Sequence, residues 1–565
     1  MAGVTAANWR SRFTEPDSAL RRVLERTYGR DALPERLLLF RRVIARFLER
    51  FGDRPVRMFR APGRINLRGM HVDTHGGYLN LMTHQREVVA AVSPAPDDII
   101  DLANLDPDLD DVFFRIENEI SDALFRLPWL EFITHPRVRE AVDAKRGHWG
   151  NYVKGCILNV QHRFPNARLK GMTGIVGGDL PRGAALSSSA ALCLALTQAT
   201  LSINGLALER DELITAARDA EWFTGSRCGL SDQAAIVLGN RGEFANIAIY
   251  PPKLETASAR RVAFPETLRI LVINSHTERS LSGAAQVDYT RNRFAYSLAM
   301  EILRQEMRLQ GAPAAVVEKM DRLSNITPEV LMPMGGMRTL LAAIKRIPET
   351  VRMEELRSRY ELARKPCARD LPEFDDAYQR CFGSAPEHLR PTDVALRGPL
   401  LFGIAESERA RLFPNEIEAG DFDAAGRLMS VGHDGDRRVR ADGSTMRCPV
   451  DDEAIDRLIG SGARIELFPG AYGASTPALD ALVDAALDGG ALGASLTGAG
   501  MAGAVLALCR AEDADRVAQR VRAKLAASEY QRLAGRTAPL SHREIAEAVV
   551  PNSTVASAGE FHLDP

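Results

Sequence analysis

Gly177-Gly-Asp-Leu-Pro-Arg-Gly-Ala-Ala-Leu-Ser-Ser-Ser-Ala-Ala-Leu192 follows a strand-like run, Lys170 to Val176, and leads into an apolar helical segment from Ser187 to Leu201. Glycines between a strand and three hydroxyls at a helix start make an anion site. The unpaired backbone N–H groups of a first helical turn point at a ligand, and the helix dipole favours negative charge there. Serine hydroxyls add hydrogen bonds to phosphate or complete a magnesium shell. The same residues also fit a plain turn with a serine N-cap. A Walker A loop is excluded, because no Gly-Lys dipeptide occurs in the chain.

Outward from that stretch, the 565 residues are too many for one compact core. Lys plus Arg (72) nearly balances Asp plus Glu (74), which gives no basic excess for nucleic acid and no acidic tail. The first eighteen residues lack the apolar core of a secretory signal. The longest apolar run, Gly493 to Cys509, is rich in Gly and Ala and too short for a membrane span. Seven cysteines without a C-x-x-C pair fit a reducing compartment, so a cytoplasmic protein is expected, with no membrane or nucleic-acid partner. Periodicity predicts helix from Ser18 to Phe51, with Leu20, Val23 and Leu24 on one face and Leu38, Val43, Ile44, Phe47 and Leu48 on another. Pro55 to Phe59, Val88 to Val92 and Leu268 to Ile273 read as strands, Asp97 to Asp111 as a surface excursion, and Tyr296 to Met429 as mostly helical. Helices also fit Arg210 to Phe223 and Thr476 to Leu487, and Ala504 to Cys509 fits a strand.

The glycine stretch resembles the second signature of the GHMP kinases (galactokinase, homoserine, mevalonate and phosphomevalonate kinases), P-x-G-x-G-L-S-S-S-A. Pro181, Gly183, Leu186 and Ser187 to Ala190 match, and Ala185 replaces the second glycine. Arg60-Ala-Pro-Gly-Arg-Ile-Asn-Leu-Arg-Gly-Met-His-Val-Asp-Thr-His-Gly-Gly77 resembles the galactokinase signature G-R-V-N-L-I-G-E-H-T-D-Y-N-G-G. Ala220-Glu-Trp-Phe-Thr-Gly-Ser-Arg-Cys-Gly-Leu-Ser-Asp-Gln-Ala234 resembles A-E-x-x-x-x-G-x-x-C-G-I-M-D-Q, with a spacer one residue shorter after Glu221. Ser495-Leu-Thr-Gly-Ala-Gly-Met-Ala-Gly503 resembles the third signature, M-T-G-A-G-F-G-G. Trp149-Gly-Asn-Tyr-Val-Lys-Gly155 and Ile273-Asn-Ser275 with Leu281, Tyr289 and Arg293 resemble lesser galactokinase stretches.

The resemblance implies an α+β GHMP kinase fold with helical insertions. It predicts a helical extension over 1–55, a ribosomal-protein-S5-domain-2-like ATP-binding domain over 56–265, and a ferredoxin-like domain with insertions over 266–565. It implies ATP and Mg2+ as cofactors and a monosaccharide as the partner. Asp232 and Arg64 are the implied catalytic pair; His71, Asp73, Gly229 and Tyr289 are the implied sugar contacts. Trp149, Gly178, Pro181, Gly183, Ala184, Ala185, Leu186, Ser187, Ser188 and Ser189 are implied to hold the nucleotide, and Ser189 and Glu221 the metal. The family glutamate before His71 is Met70 here, which cannot accept a sugar hydroxyl, so a galactose-like sugar altered at C6 and phosphorylated at its anomeric hydroxyl is expected. A GHMP kinase for a non-sugar alcohol and a silent sugar and nucleotide sensor are the competing readings. The insertions near 97–146, 320–390 and 438–469 are candidates for the wall of the acceptor pocket or an oligomer interface.

Overall fold

The computed structural model describes residues 4–121, 123–181, 183–250, 254–277, 284–364, 373–383 and 386–561. The glycine stretch sits at the end of a strand, Met172–Gly178, in an eight-stranded sheet. That strand runs antiparallel to the long central strand Tyr78–Pro94 and parallel to Ile99–Asn104. Along the central strand the side chains alternate between faces, as a pleat requires. Val88, Ala90 and Val92 pack into a core with helices Gly150–Arg163 and Ser188–Ile203, whereas Val89 and Ala91 face the N-terminal helices. Small residues along Ser188–Ile203, among them Ala190, Ala191 and Ala195, let that helix lie close against the sheet.

The expected helix over 18–51 is two helices, Ser18–Tyr28 and Leu33–Phe51, because Gly29 turns the chain with φ +79°. Leu38 faces solvent; Phe40, Val43, Ile44 and Phe47 form the buried face. The stretch after Phe59, polar and glycine-rich in sequence, does not leave the sheet. It continues the strand Arg57–Arg68, buried almost throughout because its arginines find partners inside the protein. The surface excursion expected over 97–111 is corrected in the same way. It contains Ile99–Asn104, whose Ile100 and Leu102 are fully buried, and Val112–Arg115 follows as its antiparallel partner. Asp and Pro crowd the flanks of that short strand and mask it in the sequence.

A second, four-stranded antiparallel sheet holds Leu268–Asn274, Gly493–Thr497, Ala504–Arg510 and Val549–Pro551. Taken in chain order as 1 to 4, its strands lie in the order 4-1-3-2, the ferredoxin-like arrangement. The 266–565 boundary needs one correction. Beyond Pro551 the chain crosses back, and Gly559–Glu560 pairs with Phe59 and Arg60 at the edge of the first sheet. Between Asn274 and Gly493 the helices Ala284–Leu309 and Arg397–Ala419 carry a large apolar core that also takes in Val72, Leu79 and Leu230 of the N-terminal half. The 438–469 segment contributes the helix Asp452–Gly460, anchored by Ile455 and Leu458 in that same core. Among the described residues, no helix is long and apolar enough to cross a membrane.

Candidate active site

The glycine stretch becomes a tight turn seated by its own apolar side chains. Ala184 and Leu186 are buried in a cluster with Ile270 and Val272, so the turn offers a ligand its backbone and its serines. Gly183, at φ +72°, has open space where a side chain would stand, and Gly178 lies against the Glu87 carbonyl. Ser187 caps the helix Ser188–Ile203 in the left-handed region, at φ +61°. Ala185, the departure from the signature, is left-handed too, at φ +56°. An alanine held there costs about 1–2 kcal/mol that glycine would not. The third glycine-rich segment meets the turn from the other sheet. A side chain at Gly503 would come within 2.6 Å of the Ala185 Cβ, so only glycine allows this approach.

Asp232 opens the helix Ser231–Leu238 and points back at the turn. Its Oδ2 accepts the Ser187 hydroxyl at 2.6 Å. Its Oδ1 accepts Nε and Nη2 of Arg64 at 2.8 and 2.6 Å. Arg64 Nη1 donates to the Ala185 carbonyl at 2.6 Å, and its backbone N–H to the Leu186 carbonyl at 3.2 Å. One guanidinium thus ties the first motif, the glycine turn and the aspartate together. The guanidinium sets a positive charge directly against the carboxylate.

Asp73 lies beside this centre. Ser231 donates to Asp73 Oδ2 at 2.8 Å and also lies 3.4 Å from Asp232 Oδ1, bridging the two acids. Gly229 is the floor on which Asp73 rests; a Cβ there would sit 1.8 Å from Asp73 Oδ2. Ser231 escapes the sequence reading, although a serine where the signature has methionine was a signal. His75 also escapes it. The ring bridges the hydroxyls of Thr74 (2.9 Å) and Ser297 (2.6 Å), and burial, then Arg293, pushes its pKa down to about 3, so it stays neutral.

Two expected contacts fall elsewhere. The His71 side chain is 2% exposed, stacked on Tyr472 at 4.3 Å with Nε2 3.4 Å from Asp436. It is packed into the C-terminal half beside Phe402, not set alongside Asp73. Trp149 is buried in the N-terminal core, and its indole N–H donates to the Asp110 carbonyl at 2.6 Å. Its surroundings are those of a core residue, with 5% of its surface exposed. The side chain of Tyr289, on the helix Ala284–Leu309, lies outside the described residues, as does Leu281.

Glu221, buried on the helix Arg210–Trp222, accepts the Ser189 hydroxyl at 2.7 Å and the Gln233 amide at 2.9 Å. Burial, then the charge of Asp232, pushes its pKa up to about 7. A buried carboxyl beside a second carboxylate is one that a dication would favour in its ionised form. With the Ser189 hydroxyl it makes a hard oxygen pair, which fits Mg2+, an ion that takes few protein ligands beside substrate phosphates. The shortened spacer after Glu221 therefore does not carry it away from the turn.

Three stretches of the chain match known protein families. Residues 45–94 match the galactokinase galactose-binding signature, 151–240 the GHMP kinases N terminal domain, and 415–527 the GHMP kinases C terminal domain. The galactokinase of Chloroflexus aurantiacus is 28% identical over 307 residues, 53% of this chain and 70% of that protein. That of Chloroflexus aggregans is 28% identical over 309 residues, 53% and 71%. The crystal structure of Lactococcus lactis galactokinase complexed with galactose superposes with a TM-score of 0.55 at 19% identity, over 92% of this chain and 98% of that one, which speaks to the fold. The chain carries the GHMP kinases N terminal and C terminal domains together with the galactokinase galactose-binding signature.

Proposed function

We propose that this sugar kinase transfers the γ-phosphoryl group of ATP to the anomeric hydroxyl of a galactose-like monosaccharide altered at C6. The observation that carries the reading is Asp232, placed between the Ser187 turn and Asp73 with Arg64 across it. The turn at 178–189 would cradle the phosphates with its N–H groups and serines. Phosphoryl transfer leaves the protein mainly positioning and charge stabilisation. Asp232 would accept the proton of the attacking hydroxyl, and Arg64 would stabilise the charge that develops beside it. The Ser187 hydroxyl donates to Oδ2; with a nucleotide bound it would turn to a phosphate oxygen and leave that position to the sugar. Asp73, steadied by Ser231 and Gly229, would accept hydrogen bonds from the sugar's other hydroxyls. Mg2+, held by Ser189 and Glu221, would supply charge neutralisation of the phosphates.

Met70 supports the altered C6. It is buried against Leu271 and Ile273, so position 70 offers the cleft no acceptor for a 6-hydroxyl. A cytoplasmic location suits an ATP-consuming enzyme with cysteines kept as thiols. A panel of sugars assayed for ADP release, with the phosphate then located on the product, tests the reading. Turnover of 6-deoxy or pentose analogues above galactose is expected; a preference for galactose would remove the C6 element. No turnover with any sugar, despite nucleotide binding, would overturn the whole.

A further inference from the structure

The loop that carries Asp73 is gripped from behind by a carboxylate that no motif marks. Glu406, on the helix Arg397–Ala419, is completely buried. Its Oε1 accepts two successive backbone N–H groups, Gly69 at 2.8 Å and Met70 at 3.1 Å. The same oxygen accepts Nε of Arg68 at 3.1 Å together with its Nη2, and Oε2 accepts Nε of Arg409 at 2.7 Å. Arg68 goes on to the Met429 carbonyl at 3.0 Å, and Arg409 to the Phe468 carbonyl at 2.9 Å. The helix Phe422–Asp436 can lie over this knot only because position 432 is glycine; a Cβ there would be 2.6 Å from Arg68 Nη2. Burial by itself would raise the Glu406 pKa, but the charges of Arg68 and Arg409 override it and hold it at about 2.

A buried ion triad is a poor device for stability alone, since apolar replacements of the same volume often do as well or better. What a carboxylate provides and a leucine does not is direction. Two N–H groups on one oxygen fix where the chain turns out of the strand Arg57–Arg68. The turn is tight: Gly69 has φ +97°, its missing side chain would stand 2.3 Å from the Tyr78 carbonyl, and His71 follows at φ +62°. Asp73 comes two residues later.

We propose that Glu406 is a positioning residue for the acceptor: by fixing the turn Gly69–His71 it aims Asp73 at the sugar, and so couples the helix Arg397–Ala419 to substrate recognition. This rests on the reading of residues 71–77 as the sugar loop. The test uses the full chain with Glu406→Gln, Glu406→Asp and Arg68→Met, measuring kcat, the KM for sugar and the KM for ATP separately, with amide hydrogen exchange over residues 69–77. Glu406→Gln and Glu406→Asp are expected to raise the sugar KM at least tenfold, leave the ATP KM within twofold, and speed exchange in 69–77 before any other segment. Folded variants with wild-type sugar KM and wild-type exchange there would overturn the proposal. If the Glu406 variants do not fold, Arg68→Met decides, because it keeps the carboxylate but removes the guanidinium that holds Oε1 against the Gly69 and Met70 N–H groups. A raised sugar KM with faster exchange in 69–77 supports the proposal, and wild-type behaviour sinks it. If the wild type phosphorylates no sugar, the functional reading fails, while exchange in 69–77 still shows whether Glu406 holds the loop.

Discussion

The nucleotide and acceptor walls of the proposed site are built differently. On the nucleotide wall, the turn at 178–189 sits on one strand, one helix and a glycine loop from the second sheet, all within recognisable motifs. On the proposed acceptor side, the loop 69–77 is supported by Glu406, Asp436, Tyr472 and Ser297, residues scattered between positions 297 and 472. Phosphates are the same in every kinase of this kind, so the nucleotide wall can be written in short sequence patterns. Acceptors differ, and the wall that selects them is assembled from distant parts of the chain.

The largest expected effect comes where the two walls meet. Asp232→Asn removes the proton acceptor but keeps the shape, so turnover should fall roughly 10²–10⁴-fold. Nucleotide affinity should stay near wild type, as measured by titration with a non-hydrolysable ATP analogue. Equal loss of both would mean that Asp232 supports the turn and does no chemistry.

A variant confined to the acceptor wall should separate the two further. Ser231→Ala takes away the hydroxyl bonded to Asp73 and leaves the phosphate turn untouched. A hydrogen bond to a charged group contributes about 1.5–3 kcal/mol, so the sugar KM should rise by roughly ten- to hundredfold, with the ATP KM unchanged. If the ATP KM rose in parallel, the walls would be one unit and the contrast would fail.

This contrast also explains what could be read in advance. The turn, Arg64 and Asp232 were legible because they lie in continuous signatures whose chemistry requires those residue types. The ferredoxin-like sheet was not readable from periodicity, since its strands are separated by more than two hundred residues of helix. A tryptophan in a motif reads the same in sequence whether its ring is open or buried in a core, as Trp149 is. His71 is a related case. The motif gives its position in the loop, but Tyr472 and Asp436, some four hundred residues away, determine where the ring goes. Glu406 was invisible: a glutamate among Ser407, Glu408 and Arg409 on a helix looks like a solvated face until the fold buries it.

On the nucleotide wall, the pH dependence of metal binding follows from Glu221. Its pKa lies at about 7 in the folded protein, above the 4.5 of a free glutamate, so the metal-free folded state holds this proton more tightly than the unfolded chain does. That contribution to stability is fully present below pH 4.5 and is lost as pH rises through about 7. Divalent binding should displace the proton. Mn2+ or Mg2+ affinity should therefore be weaker at pH 6 than at pH 8, with proton release on binding measurable by calorimetry in two buffers of different ionisation heat. Glu221→Gln should flatten that dependence. Unchanged pH dependence in the variant would place the metal on other groups.

The smallest effect concerns the one residue where the nucleotide wall departs from its signature. Ala185 sits at φ +56°, with its methyl group against Gly498 and Gly503 of the facing loop. Ala185→Gly relieves about 1–2 kcal/mol of left-handed strain. It also frees the unfolded chain, which gives back roughly 0.4–1 kcal/mol. The net gain should therefore lie between about 0 and 1.6 kcal/mol, seen as a slightly higher denaturant midpoint. The methyl group also fills the seam between the turn and the third glycine segment, so removing it should loosen that seam. A small rise in stability with a modest rise in the ATP KM, and no change in the sugar KM, would show that the methyl group spaces the nucleotide wall alone. A change in the sugar KM would mean that strain in this turn is passed through Arg64 to the acceptor side, because Arg64 donates to the Ala185 carbonyl and to Asp232 at once.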